Sequence, residues 1–151
     1  MHYRLFQPED FDSLYAIEEV CFQPPERFTR RYMRQLIASA NSATWIAEEN
    51  RELAGFAILD WVQELAGIVA YIPTIEVLSA WRGRGIGVEL LHRLESSAIE
   101  QSAIGIWLHV DPENAPAICL YERSGYRSRG RADHYYARNR AAVIYAKDLK
   151  P

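Results

Sequence analysis

Arg82-Gly83-Arg84-Gly85-Ile86-Gly87 sets three glycines and two arginines between an apolar run ending at Leu78 and a helical pattern that starts at once. A helix start leaves backbone N–H groups without partners and carries partial positive charge. Glycine removes the Cβ that would hold an anion away from those amides. Arginine adds permanently charged, forked donors. The chemistry such a segment suits is the grip of a diphosphate, although a Gly-rich turn also serves as a plain connection. Val88 stands where a dinucleotide fingerprint needs its third glycine, which disfavours a nucleotide-dependent oxidoreductase. No Gly-Lys-Ser/Thr is present, which excludes a nucleoside-triphosphate loop.

The elements that must carry this turn are legible from periodicity. His2–Phe6 reads as a short strand ended by the turn residues 7–10. Leu14, Ile17, Val20 and Cys21 give helical spacing from Phe11 to Cys21, and Pro24-Pro25 breaks that helix. A second helix is predicted to start near Thr29 as N-cap, with Tyr32, Met33, Leu36 and Ile37 on its apolar face. Thr44–Ala47 and Leu53–Leu59 form a predicted hairpin, and Ile68–Leu78 a further strand in which Pro73 marks an edge or a bulge. The helix after the Gly-rich turn buries Leu90, Leu91, Leu94 and Ala98. A strand over Ile104–Val110, a helix over Asn114–Ser124 closed by Gly125, and two strands near Tyr126–Arg129 and Ala142–Leu149 complete the chain. Strand, helix and strand across 68–110 imply a right-handed crossover with parallel strands. The hairpins imply antiparallel pairs, so one mixed-sheet α/β domain over residues 1–151 is expected.

Composition narrows the function classes. Hydrophobic and charged fractions of 49% and 25% suit a soluble globular chain. A net charge of −3 argues against a nucleic-acid module, and Arg127, Arg129, Arg131, Arg138 and Arg140 read as a solvated charged face. Cys21 and Cys119 lack the spacing of a zinc knuckle or a disulfide scaffold and read as small buried hydrophobes. His2, His92, His109 and His134 are too far apart for a local metal motif. Without a secretory signal or a long apolar run, the expected compartment is the cytoplasm, with no membrane association.

Arg82-x-x-Gly85-x-Gly87, followed 27 residues later by Asn114-x-x-Ala117-x-x-Leu120-Tyr121-x-x-x-Gly125-Tyr126, resembles the GNAT superfamily of N-acetyltransferases. The likeness covers nearly the whole chain, and in detail is to RimI-like peptide N-terminal acetyltransferases. It implies a mixed, mostly antiparallel sheet of about seven strands with a splayed parallel pair, about four helices, and acetyl-CoA as cofactor. It also implies that backbone groups of Ile75, Glu76 and Val77 hold the acetyl and pantetheine portion. By the same likeness Arg82 and the amides from Gly83 through Arg84, Gly85, Ile86 and Gly87 to Val88 bind the pyrophosphate, while Asn114 contacts the cofactor arm. Tyr121 is then the general acid, and His109 occupies the strand position of a general base. Tyr135 and Tyr136 match hairpin tyrosines that clamp a peptide backbone, and Phe28 falls in the acceptor-binding segment. A monomer or homodimer is expected.

The residues can be weighed against the reaction this implies, attack of a neutral amine on a thioester. At pH 7 neutralising an α-amine costs about 1.2 kcal/mol and a lysine about 4.6 kcal/mol. A histidine of ordinary pKa suits the former task better, so His109 favours α-amines. Glu76, lying between Ile75 and Val77, is the rival base, since a buried carboxylate there would titrate high. RimI-like enzymes carry Pro-Trp-Ser where this chain has Phe22-Gln23-Pro24-Pro25-Glu26-Arg27-Phe28, with the tryptophan and serine missing. The expected acceptor is therefore a peptide N-terminus, with a small-molecule amine or a lysine side chain as alternatives. A non-catalytic acyl-CoA-binding module is the alternative of another class, and needs neither His109 nor Tyr121.

Overall fold

Residues 56–59 are all fully buried, with Phe56 and Ile58 packed into one apolar cluster and Ala57 and Leu59 into another. A strand alternates its side chains between two faces, so this segment requires cover on both sides of its sheet. The computed structural model describes residues 1–137 and 140–149, with the side chains of residues 133–137 and 140 left out of account. Its elements in order are β1 (His2–Leu5), α1 (Phe11–Cys21), α2 (Arg30–Ala38), β2 (Ser42–Glu49) and β3 (Glu52–Gln63), then β4 (Ile68–Val77) and α3 (Ile86–Glu100). β5 (Gly105–Val110), α4 (Ala115–Arg123), β6 (Arg127–Ala137) and β7 (Arg140–Asp148) follow.

The seven strands form one sheet in the order β1-β2-β3-β4-β5-β7-β6. Only β4 and β5 pair in parallel, joined through α3 as the crossover rule requires. On one face α3 buries Leu90, Leu91, Leu94 and Ala98 completely, against Ala57, Leu59, Ile72 and Ile106. Each such leucine contributes about 1.5–3 kcal/mol relative to exposure. On the other face α1 and α2 pack Leu14, Ile17 and Met33 over Ile46, Phe56 and Ile58.

Local signals set the element ends. Thr29 caps α2 by accepting a hydrogen bond from the Tyr32 N–H at 3.1 Å. Gly125, at φ 92°, turns the chain out of α4 in the left-handed region that glycine tolerates. Tyr32 is 45% exposed rather than part of the buried stripe of α2. Its ring instead meets Phe28 edge-on at 5.1 Å. Cys119 is also exposed, contrary to expectation, and only Cys21 is half-buried. Cys119 lies about 200° around the helix axis from buried Tyr121. Arg127, Arg129 and Arg131 are exposed on the edge strand β6, while Arg138 lies outside the described residues.

Two features of β4 place the functional groups. Thr74 pairs with Ile58 and Tyr71 with Asp60, so β4 carries one residue more than β3 across this stretch, a β-bulge beside Pro73. Pro73 thus marks a bulge in a central strand and not an edge. The bulge reverses the strand's phase. Ala70 and Ile72 face α3 before it and Ile75 and Val77 after it, which turns Thr74 and Glu76 toward α1. Pairing of β4 with β5 also stops at Ile72 and Leu108, so beyond that point the two strands diverge.

Candidate active site

The divergence of β4 and β5 opens into a cleft of about 620 Å³. Pro73, Thr74 and Ile75 form one wall, His109, Val110 and Asp111 the other, and Asn114, Ala117 and Tyr121 of the α4 region close an end. The segment from Cys21 to Phe28 covers the remaining side. Phe28, His109, Asn114 and Tyr121, separated by up to 93 positions in the chain (28 to 121), therefore meet at one cavity.

At the head of α3 the backbone is set for an anion. Gly83 and Gly85 both have φ 78°, and a Cβ built on either meets nothing within 4 Å. Glycine is needed there for conformation, since a left-handed residue with a side chain costs roughly 1–2 kcal/mol. Gly87 has ordinary helical φ, and its Cβ would make only an ordinary 3.5 Å contact with Leu120. Among the described residues no side chain caps the Gly85 end of α3. Arg82 folds back so that its Nε donates to the Val77 carbonyl at 2.9 Å, and the Arg84 guanidinium lies 4.9 Å over the Trp81 ring. Uncapped amides beneath open space, with two arginines beside them, fit a pyrophosphate. Gly85→Ala is expected to lower Tm by a few degrees, because the left-handed turn is already present without ligand. Gly87→Ala is expected to leave Tm unchanged. Thermal shift with and without acetyl-CoA measures both.

His109 has a partner that sequence reasoning overlooked. Its Nδ1 lies 2.8 Å from the Tyr71 hydroxyl, the two residues sitting on neighbouring parallel strands. The Tyr71 and Trp107 rings flank the imidazole edge-on, with centroids 5.6 and 5.1 Å away. Partial burial pulls the His109 pKa below its ordinary value, because charging the ring forfeits hydration. The imidazole is consequently neutral at pH 7. The Tyr71 hydroxyl can accept from Nδ1–H or donate to Nδ1, and in the tautomer in which it accepts, Nε2 carries the lone pair that can take a proton. Period-two alternation, extended from β5 to the parallel partner strand, is the signal that could have found Tyr71.

Tyr121 is buried against Tyr126, with ring centroids 5.8 Å apart. The Tyr126 hydroxyl donates to Glu95 at 2.7 Å, anchoring this aromatic pair under α3. Burial pushes the Tyr121 phenol well above its ordinary value, which keeps it a donor. Asn114 is the N-cap of α4, its Oδ1 accepting from the Ala117 N–H at 3.2 Å. That bond leaves the carboxamide N–H₂ unspent.

Glu76 is 3% exposed and does not line the cleft. Thr74 Oγ1 donates to its Oε2 at 2.7 Å, and it faces Glu18 of α1 within hydrogen-bonding reach. Burial first, and the neighbouring Glu18 next, raise the Glu76 carboxyl well above the usual carboxylate range. Ile75 lies in the cleft wall and the Val77 carbonyl is engaged by Arg82. Tyr135 and Tyr136 belong to β6, but their side chains lie outside the described residues. No group of His, Cys, Asp or Glu side chains able to hold a metal occurs among the described residues. No described helix is long and apolar enough to cross a membrane.

Comparison with known proteins gives a concordant result. Residues 11–126 match the family model described as Acetyltransferase (GNAT) family. The chain is 28% identical over 163 residues to Histone acetyltransferase MCC1 of Arabidopsis thaliana, covering 93% of this chain and 65% of that relative's length. It is 27% identical over 149 residues to an N-alpha-acetyltransferase of Sulfurisphaera tokodaii, covering 93% and 88%. The structure of Arabidopsis thaliana Naa50 in complex with the bisubstrate analogue CoA-Ac-MVNAL superposes with a TM-score of 0.84 at 26% identity, covering 98% of each chain.

Proposed function

The chain belongs to the GNAT family of acetyltransferases, enzymes that use acetyl-CoA, and from that premise we propose that its acceptor is the α-amine of a peptide N-terminus. The observation that carries this reading is the Tyr71–His109 pair, held neutral and facing Tyr121 across one cleft. A neutral imidazole of depressed pKa is a competent base for an ammonium near pH 8 and a poor one for a lysine. The Sulfurisphaera tokodaii relative described as an N-alpha-acetyltransferase, and the structural neighbour in complex with the bisubstrate analogue CoA-Ac-MVNAL, support the same acceptor.

Acetyl-CoA supplies the acetyl group as a thioester. The amides from Gly83 to Val88 and the two flanking arginines hold its pyrophosphate, which directs the thioester along the open edge of β4 at Ile75. His109 Nε2 accepts the proton that the α-ammonium must lose before attack. Tyr71, bonded to Nδ1, fixes the ring's orientation and can accept from Nδ1–H, the tautomer that the base needs. Tyr121 directs its hydroxyl at the sulfur, where a hydrogen bond strengthens as negative charge develops. Glu76, buried away from the cleft, is left without a direct route to the amine, so His109 takes the role of base. Phe28 and the neighbouring apolar residues shelter the first side chain of the acceptor from water.

Thiol release measured over a panel of short peptides, free amino acids, polyamines and lysine-bearing blocked peptides tests the acceptor. Peptides with a free α-amine are expected to give the highest kcat/KM. A higher value for a small amine or a blocked lysine peptide would replace the peptide N-terminus as the acceptor.

A further inference from the structure

Two carboxyl groups that the reaction does not use lie back to back beside the cleft. Glu18 is 1% exposed and Glu76 3% exposed, and they project toward each other from α1 and β4. Each has one oxygen engaged. Glu18 Oε2 accepts the Phe28 N–H at 3.0 Å, and Glu76 Oε2 accepts the Thr74 hydroxyl at 2.7 Å. Each also has one buried oxygen, Glu18 Oε1 and Glu76 Oε1, with no hydrogen-bond partner among the described residues. Two buried carboxylates facing one another with no countercharge would be strongly unfavourable, whereas one proton between them satisfies both orphaned oxygens at once.

We propose that Glu18 and Glu76 share a single proton and, through it, act as positioning residues that hold the acceptor-binding segment in register with the thioester-bearing strand. The chain of contacts is short. Thr74 fixes Glu76 on the bulged part of β4, Glu76 O–H donates to Glu18, and Glu18 accepts the backbone N–H of Phe28. The bulge makes this possible, because it turns Glu76 to the α1 face. The groups packed around the pair are few. Phe56 of β3 lies directly across from Glu76 and is apolar. Burial first, and then the nearby Glu76 and Glu18, raise the thiol of Cys21 on α1, while Arg82 acts on that thiol in the opposite sense. Arg82 itself is bonded to the Val77 carbonyl, and no cation acts on Glu76 among the described residues. Once the shared proton is lost, the second charge on Glu76 repels Glu18 and loosens Phe28.

The inference rests on the cleft being the acceptor site, so its test includes a readout that needs no acceptor. In the free wild-type protein, hydrogen exchange of the Phe28 amide, corrected for intrinsic exchange, should lose protection as pH rises from neutral into the alkaline range. In Glu76→Gln the protection should be flat with pH, because the amide N–H₂ donates to Glu18 at every pH. In parallel, the wild-type acceptor KM should rise with pH more steeply than in Glu76→Gln, approaching an extra factor of about 10 per pH unit, the limit for one linked proton. The KM for acetyl-CoA should not share that rise. Glu18→Gln, which keeps an acceptor for Phe28 and a donor for Glu76, should flatten the profile in the same way. Identical pH dependence of Phe28 protection in wild type and Glu76→Gln would overturn the proposal even if peptide acetylation is confirmed. Should Glu76→Gln fail to fold, the wild-type and Glu18→Gln exchange profiles decide it, and a pH-independent wild-type amide would overturn it.

Discussion

Replacing His109 by alanine is expected to lower kcat/KM for a peptide acceptor by about 10²- to 10³-fold at pH 7, within the usual range for loss of a general base. The loss should depend on pH in a definite direction. With His109 as the proposed base, the wild-type acid limb is its titration, which burial moves below the ordinary histidine value, so activity should hold as pH falls to 6.5 and decline below that. Without the imidazole, only acceptor that has already lost its proton reacts, and the rate should climb about tenfold per pH unit toward the α-amine pKa of about 8. Part of the loss is therefore recovered at pH 9. Tyr71→Phe removes the hydroxyl that lies 2.8 Å from Nδ1 but leaves the ring, and should give a smaller loss with the same shape. An unchanged acid limb in His109→Ala would return Glu76 to the role of base.

The second large effect belongs to Tyr121. Tyr121→Phe is expected to lower kcat about 10²-fold while changing the affinity for acetyl-CoA by less than about threefold, the pattern of an interaction made mainly in the transition state. Burial raises the phenol pKa, which makes full proton transfer to a thiolate of pKa about 8.5 unfavourable, so the role proposed for Tyr121 is a strengthening hydrogen bond. The variant should keep its fold, because the ring retains its packing against Tyr126. The rate of thiol release, alongside calorimetric binding of acetyl-CoA, separates the two quantities. A wild-type kcat in this variant would remove Tyr121 from the reaction.

Where the sequence was informative, local physics set the outcome. Helix α1 spans Phe11–Cys21 as predicted, because the helical spacing and the Pro24-Pro25 break are both short-range signals. The stripe Leu90, Leu91, Leu94 and Ala98 is wholly buried, and Thr29 caps α2. The parallel pair follows from the strand, helix and strand order across residues 68–110. Features set by register between distant segments were not legible. Whether Tyr71 meets His109 depends on how β4 aligns with β5, and no property of either strand alone specifies that alignment. The direction of Glu76 depends on one extra residue in β4, which reverses every side chain beyond Pro73. Glu18 attracts no notice in an amphipathic helix until that reversal places a second carboxyl against it. Helical spacing places Tyr32 and Cys119 in apolar patterns, yet both are exposed, because each lies at the margin of or opposite the stripe that Met33 and Tyr121 bury.

The arrangement explains how one cleft serves two substrates. The Gly-rich turn and the open edge of β4 offer backbone groups, which suit a cofactor common to the whole family. Another part of the cleft lining is made of side chains of the segment from Cys21 to Phe28 together with His109, and this is the proposed acceptor side. On the proposed reading, selectivity for an α-amine resides in the base and the acceptor segment and not in the cofactor grip.

Incubation with acetyl-CoA and a peptide carrying both a free α-amine and an internal lysine, followed by tandem mass spectrometry to locate the added acetyl group, puts the choice of acceptor to the most direct trial. The acetyl group should appear on the N-terminal residue and vanish when that amine is blocked. Acetylation of the lysine with the α-amine untouched, or no acetylation of any such peptide, would contradict the assignment.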